Sequence, residues 1–266
     1  MRVSDVLTSS KMPNSEAEIL LSALLSKDRT WVLAHGEHIL APHEEERLAA
    51  WFQRRAKGEP VAYIIETQEF YGRPFIINKH TLIPRPATER LVEIALELLS
   101  KPAEPAAYVR DIDTGIIAAV NIWKNLGTAR TVADIGTGSG CIGVTLACER
   151  PDLHVIATDI NDQTIVTAKK NATMLGAAAN MEFRRGFDLD PLADVRVPFL
   201  VVSNPPYVPD SYDLEKNVRD FEPHSALFGG GEGADILKRI VAQAKAHPQC
   251  CGYVIECRKD QERWVV

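Results

Sequence analysis

From Thr131 onward the chain alternates short apolar runs with helix-like stretches, and the first exchange turns on glycine. Thr131-Val132-Ala133-Asp134-Ile135 reads as a strand, Gly136-Thr137-Gly138-Ser139-Gly140 as a tight loop, and Cys141 to Cys148 as the helix that the loop opens. Further strands read at His154–Thr158, near Met181–Arg184, at Phe199–Ser203 and at Gly252–Glu256. Helices read over about Asp162–Leu175 and Ala234–Ala246. Strands that alternate with helices pair in parallel, because each return crossing needs a helix-length connection. This excludes an all-helical or all-β chain. It predicts an α/β fold, a Rossmann-like parallel sheet with helices on both faces.

A glycine-x-glycine-x-glycine loop alone says little, since many turns need positive φ. Here it follows a strand, opens a helix, and an acidic residue, Asp159, ends the next strand. That arrangement suits a nucleoside: the carboxylate accepts from ribose hydroxyls, and the glycines let the ligand approach the sheet edge. The spacing departs from the dinucleotide fingerprint, and no phosphate-loop lysine is present.

The fourth strand ends at Asn204-Pro205-Pro206-Tyr207. The two prolines lack N–H groups and fix φ, so the strand stops and a stiff loop begins. A proline-stiffened turn is the bland account. Placed beside a nucleoside loop, the same residues offer more. The Asn204 amide oxygen and the Pro205 carbonyl can each accept one N–H of a flat NH2 group, with the Tyr207 ring against its plane. Asn204, Pro205 and Tyr207 are thus the catalytic candidates, and Asn204, Pro205, Pro206 and Tyr207 the substrate-binding ones.

The first part of the chain is different. Residues 1–66 read as a small helical bundle: Ser15 with Glu18 matches a capping box, and Pro42 opens a helix that runs to Gly58. Trp31 and Trp51 are expected in its core. Glu69 to Ile77 reads as two short strands about Gly72, so residues 67–86 form a β-hairpin connector. Thr88 is expected to cap the helix after it. Residues 87–266 form the remaining domain. Within it Lys101-Pro102-Ala103-Glu104-Pro105 is linker-like, and Ile116 to Leu126 is expected to be one more helix before Gly127.

Charge bears on partners. The chain carries a net charge of −6. Its first 90 residues hold 12 basic and 12 acidic side chains, so the excess of acid lies in the second part. An acidic site half argues against a phosphate-tracking groove, and direct nucleic-acid binding is not expected. The five cysteines show no C-x-x-C spacing, which fits reduced thiols in the cytoplasm. No apolar run approaches membrane-spanning length, so no membrane partner is expected.

Asp134-Ile135-Gly136-Thr137-Gly138-Ser139-Gly140, Asp159 and Asn204-Pro205-Pro206-Tyr207 resemble class I methyltransferases that act on planar nitrogens. Ile83-Pro84-Arg85-Pro86, with Thr88 to Glu93, and Asp220-Phe221-Glu222-Pro223-His224 through Gly230 narrow the resemblance to the HemK family of release-factor glutamine methyltransferases. The resemblance spans about residues 15 to 262. It implies S-adenosyl-L-methionine as cofactor, held by Gly136, Thr137, Gly138, Ser139, Gly140, Asp159 and Asn204. The family usually has Asp-Trp after the third strand, flanking the adenine. This chain has Phe187-Asp188 there, in reversed order, and these two take that place by resemblance. The family also usually continues past the position of Val266 through a terminal strand pair, so either the chain is cut short or the sheet lacks its antiparallel edge.

The resemblance implies methylation of N5 of the glutamine in the Gly-Gly-Gln loop of peptide-chain release factors, with residues 1–66 recognising the protein substrate. A ribosomal-protein glutamine, an exocyclic amine of a flipped base, and a binding module without turnover remain as alternatives. In each enzymatic case no metal is needed. No group in the motifs titrates near neutrality, so no general base is expected.

Overall fold

The computed structural model describes residues 1–10, 12–100, 105–124, 126 and 129–266. In chain order the helices and strands are α1 (Val3–Ser9), α2 (Asn14–Leu25), α3 (Arg29–Ala34), α4 (Pro42–Ala56), α5 (Val61–Ile65), β1 (Thr67–Phe70), β2 (Arg73–Ile76), α6 (Pro86–Ser100), β3 (Ala106–Asp113) and β4 (Ile116–Ile122). There follow β5 (Thr131–Ile135), α7 (Cys141–Glu149), β6 (His154–Asp159), α8 (Asp162–Met174), β7 (Met181–Arg185), β8 (Phe199–Ser203), α9 (Lys216–Phe221), α10 (Asp235–Ala246) and β9 (Cys250–Arg258).

The chain forms two compact units, one of residues 1–67 with 215–221 and one of residues 68–214 with 222–266. The smaller unit is helical. Leu20, Leu21, Val32, Leu48 and Trp51 are buried together in its core, with Trp31 packed against them. Trp31 is only partly buried and stacks on His35, with ring centroids 4.3 Å apart. The expected capping box at Ser15 does not form. The helix begins two residues earlier, with Pro13 in the cap position, and Glu18 turns its carboxylate to Arg29 at 2.5 Å. Arg29 offers a buried carboxylate a charged donor, which a backbone cap does not.

The larger unit is built on a seven-stranded sheet of order β3-β4-β9-β8-β5-β6-β7. The five strands from β5 to β9 are parallel, as the alternation predicts, and every residue of β5 and β8 is buried. Period-2 alternation sends Val132, Val155, Val202 and Val254 to a core shared with α6 and α7. Ala133, Ile156, Val201 and Ile255 go to the opposite core, with α10. β5 is central, with β6 and β7 added on one side and β8 and β9 on the other. The order therefore reverses between β5 and β8, and the crevice above that point is where open α/β sheets bind ligands.

Two expectations fail at the other edge of the sheet. The stretch Ile116–Leu126 is not a helix, and the sheet does not lack an antiparallel edge. β3 and β4 form an antiparallel hairpin, and β4 pairs antiparallel with β9, Ile116 opposite Arg258 and Ile122 opposite Gly252. Ile116, Ile117, Val120 and Ile122 are β-branched, and such side chains pack well on a pleated surface. Ala118 and Val120 enter one core while Ile117 and Ala119 enter the other. The turn at Thr114-Gly115 closes the hairpin, with Gly115 at φ 77°. The linker-like Lys101–Glu104 and the helix stop at Gly127 lie outside the described residues.

Thr88 does not cap α6. The helix begins at Pro86, and Thr88 sits in its first turn with its side chain buried.

Candidate functional site

The glycine loop is held from beneath by Asp134. Its Oδ2 accepts from the Thr137 hydroxyl at 2.6 Å and from the Gly143 N–H at 2.9 Å. Asp134 is fully buried, and burial pushes its pKa up to about 6 against those two hydrogen bonds. A methyl at Gly143 would stand 2.7 Å from the same oxygen, so glycine there makes room for the carboxylate. Gly136, Gly138 and Gly140 all have positive φ, 69°, 58° and 85°. That backbone path is costly for other residues. Asn171 of α8 ties the loop to the hairpin connector: its Nδ2 donates to the Ser139 and Ile76 carbonyls, each at 2.8 Å.

Asp159 ends β6, and its two oxygens accept from the N–H groups of Gly138 (3.2 Å) and Asn161 (3.0 Å). Burial raises its pKa, and those hydrogen bonds work the other way. The carboxylate thus braces the glycine loop and keeps lone pairs facing the crevice.

A cleft of about 290 Å³ lies over the β5/β8 switch point. Gly136, Thr137, Gly138, Ser139 and Asp159 line it on one side, and Asn204, Pro205 and Pro206 on the other. Gly140 does not line it; it opens α7 behind the loop. Phe187 and Asp188 also line it. The Phe187 ring is 62% exposed and Ile160 is 42% exposed, so two apolar faces open onto the cleft. Asp188 has φ 47°, and its carboxylate accepts from Arg239 Nε at 2.7 Å.

Asn204 follows the last residue of β8. Its Nδ2 donates to Thr88 Oγ1 at 3.0 Å, which leaves Oδ1 as the free end of the amide. The Pro205 carbonyl accepts no hydrogen bond among the described residues. Tyr207 is placed otherwise than its motif implies: it does not line the cleft, and its hydroxyl donates to Glu256 Oε1 at 3.0 Å.

Glu256 is the residue that sequence reasoning missed. It projects from β9, is 1% exposed, and also accepts from the Thr88 hydroxyl at 2.8 Å. Burial pushes its pKa up to about 7 against the Thr88, Tyr207 and Asn204 hydrogen bonds and Arg85. A group that titrates near neutrality thus stands next to the motif, where none was expected. The signal was an acid inside the apolar run Tyr253-Val254-Ile255-Glu256-Cys257, since a buried charge needs partners. Arg85 was likewise unassigned. It donates to Glu222 at 2.5 Å, and Glu222 also accepts from the Ile83 N–H at 3.2 Å. The Ile-Pro-Arg-Pro and Phe-Glu-Pro-His segments therefore meet through a buried carboxylate.

The described residues contain no cluster of metal-binding side chains and no helix long and apolar enough to cross a membrane. The comparisons with known proteins agree with this geometry. Residues 2–65 match the PrmC N-terminal domain, and residues 105–232 match the methyltransferase small domain. A release factor glutamine methyltransferase of Koribacter versatilis (strain Ellin345) is 38% identical over 245 residues, covering 91% of this chain and 78% of that one. A protein of the same name from Xylella fastidiosa (strain Temecula1) is 38% identical over 242 residues, with 90% and 78% covered. Among solved structures, the hMettl16 catalytic domain in complex with MAT2A 3'UTR hairpin 1 superposes with a TM-score of 0.50 at 15% identity. It covers 80% of this chain and 66% of that one, and at this identity the likeness is one of fold alone.

Proposed function

The chain belongs to the release factor glutamine methyltransferases, and from that membership we propose that it methylates N5 of the glutamine in the Gly-Gly-Gln motif of peptide-chain release factors, with S-adenosyl-L-methionine as donor. One observation carries the reading: a nucleoside-sized cleft and an amide-holding pair flank the same strand-order switch. The residues present fit an adenosyl group. The glycine loop is open to close approach, Asp159 has acceptor capacity for ribose hydroxyls, and Phe187 and Ile160 offer apolar faces to a flat ring. Gly136, Thr137, Gly138, Ser139, Asp159, Phe187 and Asp188 would hold it, with Gly140 fixing the path of the loop. When bound, the cofactor supplies a methyl group on a sulfonium sulfur, ready for attack by a nucleophile.

The chain's own task is orientation. A glutamine amide nitrogen is a poor nucleophile because its lone pair is delocalised. Asn204 Oδ1 and the Pro205 carbonyl accept its two N–H hydrogens, which raises electron density on nitrogen and stabilises the positive charge that develops there, and once the methyl is transferred the nitrogen releases one of these protons to water. Holding the amide in one attitude is worth about 7–11 kcal/mol at best. Pro205 and Pro206 stiffen the loop that presents these acceptors. Tyr207 contributes through its hydrogen bond to Glu256.

Residues 1–66 are the proposed recognition domain for the release factor, residues 67–86 its connector, and residues 87–266 the methyltransferase domain. The charge-neutral first 90 residues suit a mixed protein interface better than a phosphate track. Five free cysteines suit the reducing cytoplasm where release factors work. The test is to incubate the protein with methyl-labelled cofactor and, separately, with purified release factors, ribosomal proteins, tRNA and DNA. Label on the Gly-Gly-Gln glutamine is the expected result. Label on a ribosomal protein or nucleic acid instead would replace the substrate named here.

A further inference from the structure

We propose that Glu256 is a positioning residue that fixes which end of the Asn204 amide faces the acceptor nitrogen. The inference rests on the methyl-transfer reading above, and its argument is one of hydrogen-bond polarity. A carboxylate accepts and does not donate. Two hydroxyls converge on Glu256: Thr88 at 2.8 Å on Oε2 and Tyr207 at 3.0 Å on Oε1. Each has one hydrogen, and each gives it to the carboxylate. Thr88 then has only lone pairs left for its other neighbour, Asn204, 3.0 Å away. Asn204 must meet those lone pairs with its NH2 group. Its oxygen is therefore the end left toward Pro205 and the cleft, as an amide acceptor needs.

The two ends of an asparagine amide have nearly the same shape, so packing alone does not choose between them. A flipped Asn204 would turn N–H toward the N–H of the substrate amide, and two donors would face each other. The carboxylate disfavours that state both through Thr88 and by drawing the Asn204 NH2 toward itself. The positions are set by the fold. Glu256 lies on the α6 face of β9, since its strand neighbours Ile255 and Cys257 point into the other core. Ser203, the residue before Asn204, pairs with Ile255 across the sheet. Thr88 lies in the first turn of α6.

The groups that bear on Glu256 are the Arg85 guanidinium before α6, the Tyr207 hydroxyl after β8, the Cys141 thiol at the start of α7 and the neighbouring Cys257 thiol. Burial pushes both thiols up to about 12, so they stay neutral, and burial raises Tyr207 further. Only Glu256 among these changes charge near neutrality, its pKa pushed up to about 7. Protonated, it gains a donor of its own, Thr88 is released to donate to Asn204, and the amide is free to flip.

The experiment joins turnover to a readout that needs none. Glu256→Gln, Thr88→Val and the double variant are compared with the native chain for methyl transfer to release factor and for cofactor binding by calorimetry. The side-chain NH2 resonance of Asn204 is followed by nitrogen-resolved NMR across neutral pH. The expected result is a kcat at least about tenfold lower for each single variant, with release-factor KM and cofactor Kd within about twofold. The double variant should fall no further, since both changes cut one chain. Thr88→Ser should restore the rate. In the native chain both the rate and the Asn204 resonance should titrate together near neutrality, and Glu256→Gln should abolish both titrations. A merely structural Glu256 would lower the melting temperature and cofactor affinity and leave the pH profile in place, which overturns the proposal. So does an Asn204 resonance that ignores both pH and Glu256→Gln. If the Asn204 resonance titrates as described and Glu256→Gln abolishes that titration, but the chain methylates no release factor, the positioning role stands and the substrate reading falls.

Discussion

Asp134 and Glu256 are both buried carboxylates on strands of one sheet, yet they are used in opposite ways. Asp134 on β5 accepts from a loop hydroxyl and from a backbone N–H, and so fixes where the chain runs. Glu256 on β9 accepts from two side-chain hydroxyls of distant elements, and so fixes which way their hydrogens point. Burial raises both, to about 6 and about 7. The difference teaches that the same desolvated charge can shape a backbone or polarise a hydrogen-bond chain, and its partners decide which. It also separates the two tasks of the site. On the function proposed above, the Asp134 side would cradle the cofactor and the Glu256 side would orient the acceptor.

The sharpest test of that separation is Asn204→Ala. It removes the end of the Glu256 chain, and kcat should fall by about 10²–10³ as for loss of one preorganised polar contact. Cofactor affinity should change little. A matching loss of cofactor binding by calorimetry would merge the two sides. The converse is Asp159→Ala, which removes the brace on Gly138 and the proposed ribose acceptor. It should weaken cofactor binding by about 1.5–3 kcal/mol, the range for hydrogen bonds to a charged group. Unchanged affinity would withdraw the role given to Asp159.

Gly143→Ala strikes only the Asp134 side. A methyl 2.7 Å from the Asp134 oxygen must displace either the carboxylate or α7. Overpacking of this kind costs about 1–3 kcal/mol, read as a lower denaturation midpoint. The pH profile of the Asn204 resonance should stay as it was.

The last test concerns stability against pH, where the two carboxylates act alike. Each has a folded pKa above its ordinary value, 3.8 for Asp134 and 4.5 for Glu256. The folded state therefore holds protons that the unfolded chain has released. Their contribution is complete below about pH 4 and is lost as pH rises through about 6 and then about 7. The melting temperature should fall across this window. Glu256→Gln should flatten its upper part and Asp134→Asn its lower part. Activity should climb over the upper part of the same range, so stability and turnover run in opposite directions there. Scanning calorimetry beside a pH–rate profile checks both signs.

What could be read in the sequence was local. The glycine loop, Asp159 and the Asn-Pro-Pro-Tyr segment each combine a strand end with a few adjacent residues, and periodicity locates strand ends well. Glu256 was not legible because its meaning lies in residues 49 and 168 positions away. Asp134 and Glu256 share one overlooked sign, an acid inside an apolar run. Tyr207 shows the limit of a motif: its place in the motif implied a ring in the cleft, but the hydroxyl had a stronger claim in a buried carboxylate. The β3–β4 hairpin was missed for another reason. Ile116 to Val120 is apolar without interruption, so its period is ambiguous. The Thr114-Gly115 turn before it was the discriminating signal.

The pairing of β4 with β9 has a consequence for how the chain comes to be folded. β4 precedes β5, while β9 is the last strand of the sheet among the described residues, and the parallel strands and their helices lie between. During synthesis the hairpin can close on itself at once, since its two strands are joined by a tight turn. Its inner strand then waits, with Ile117, Ala118, Ala119 and Val120 uncovered, until β9 leaves the ribosome. Closing so long a loop is slow, because its entropy is lost before any contact repays it. Until then an apolar strand edge stands open to other nascent chains. The last strand thus acts as the clasp of the fold, and Glu256, which orders the acceptor site, is carried on it. The chain gains its polarised site in the same step that closes its sheet.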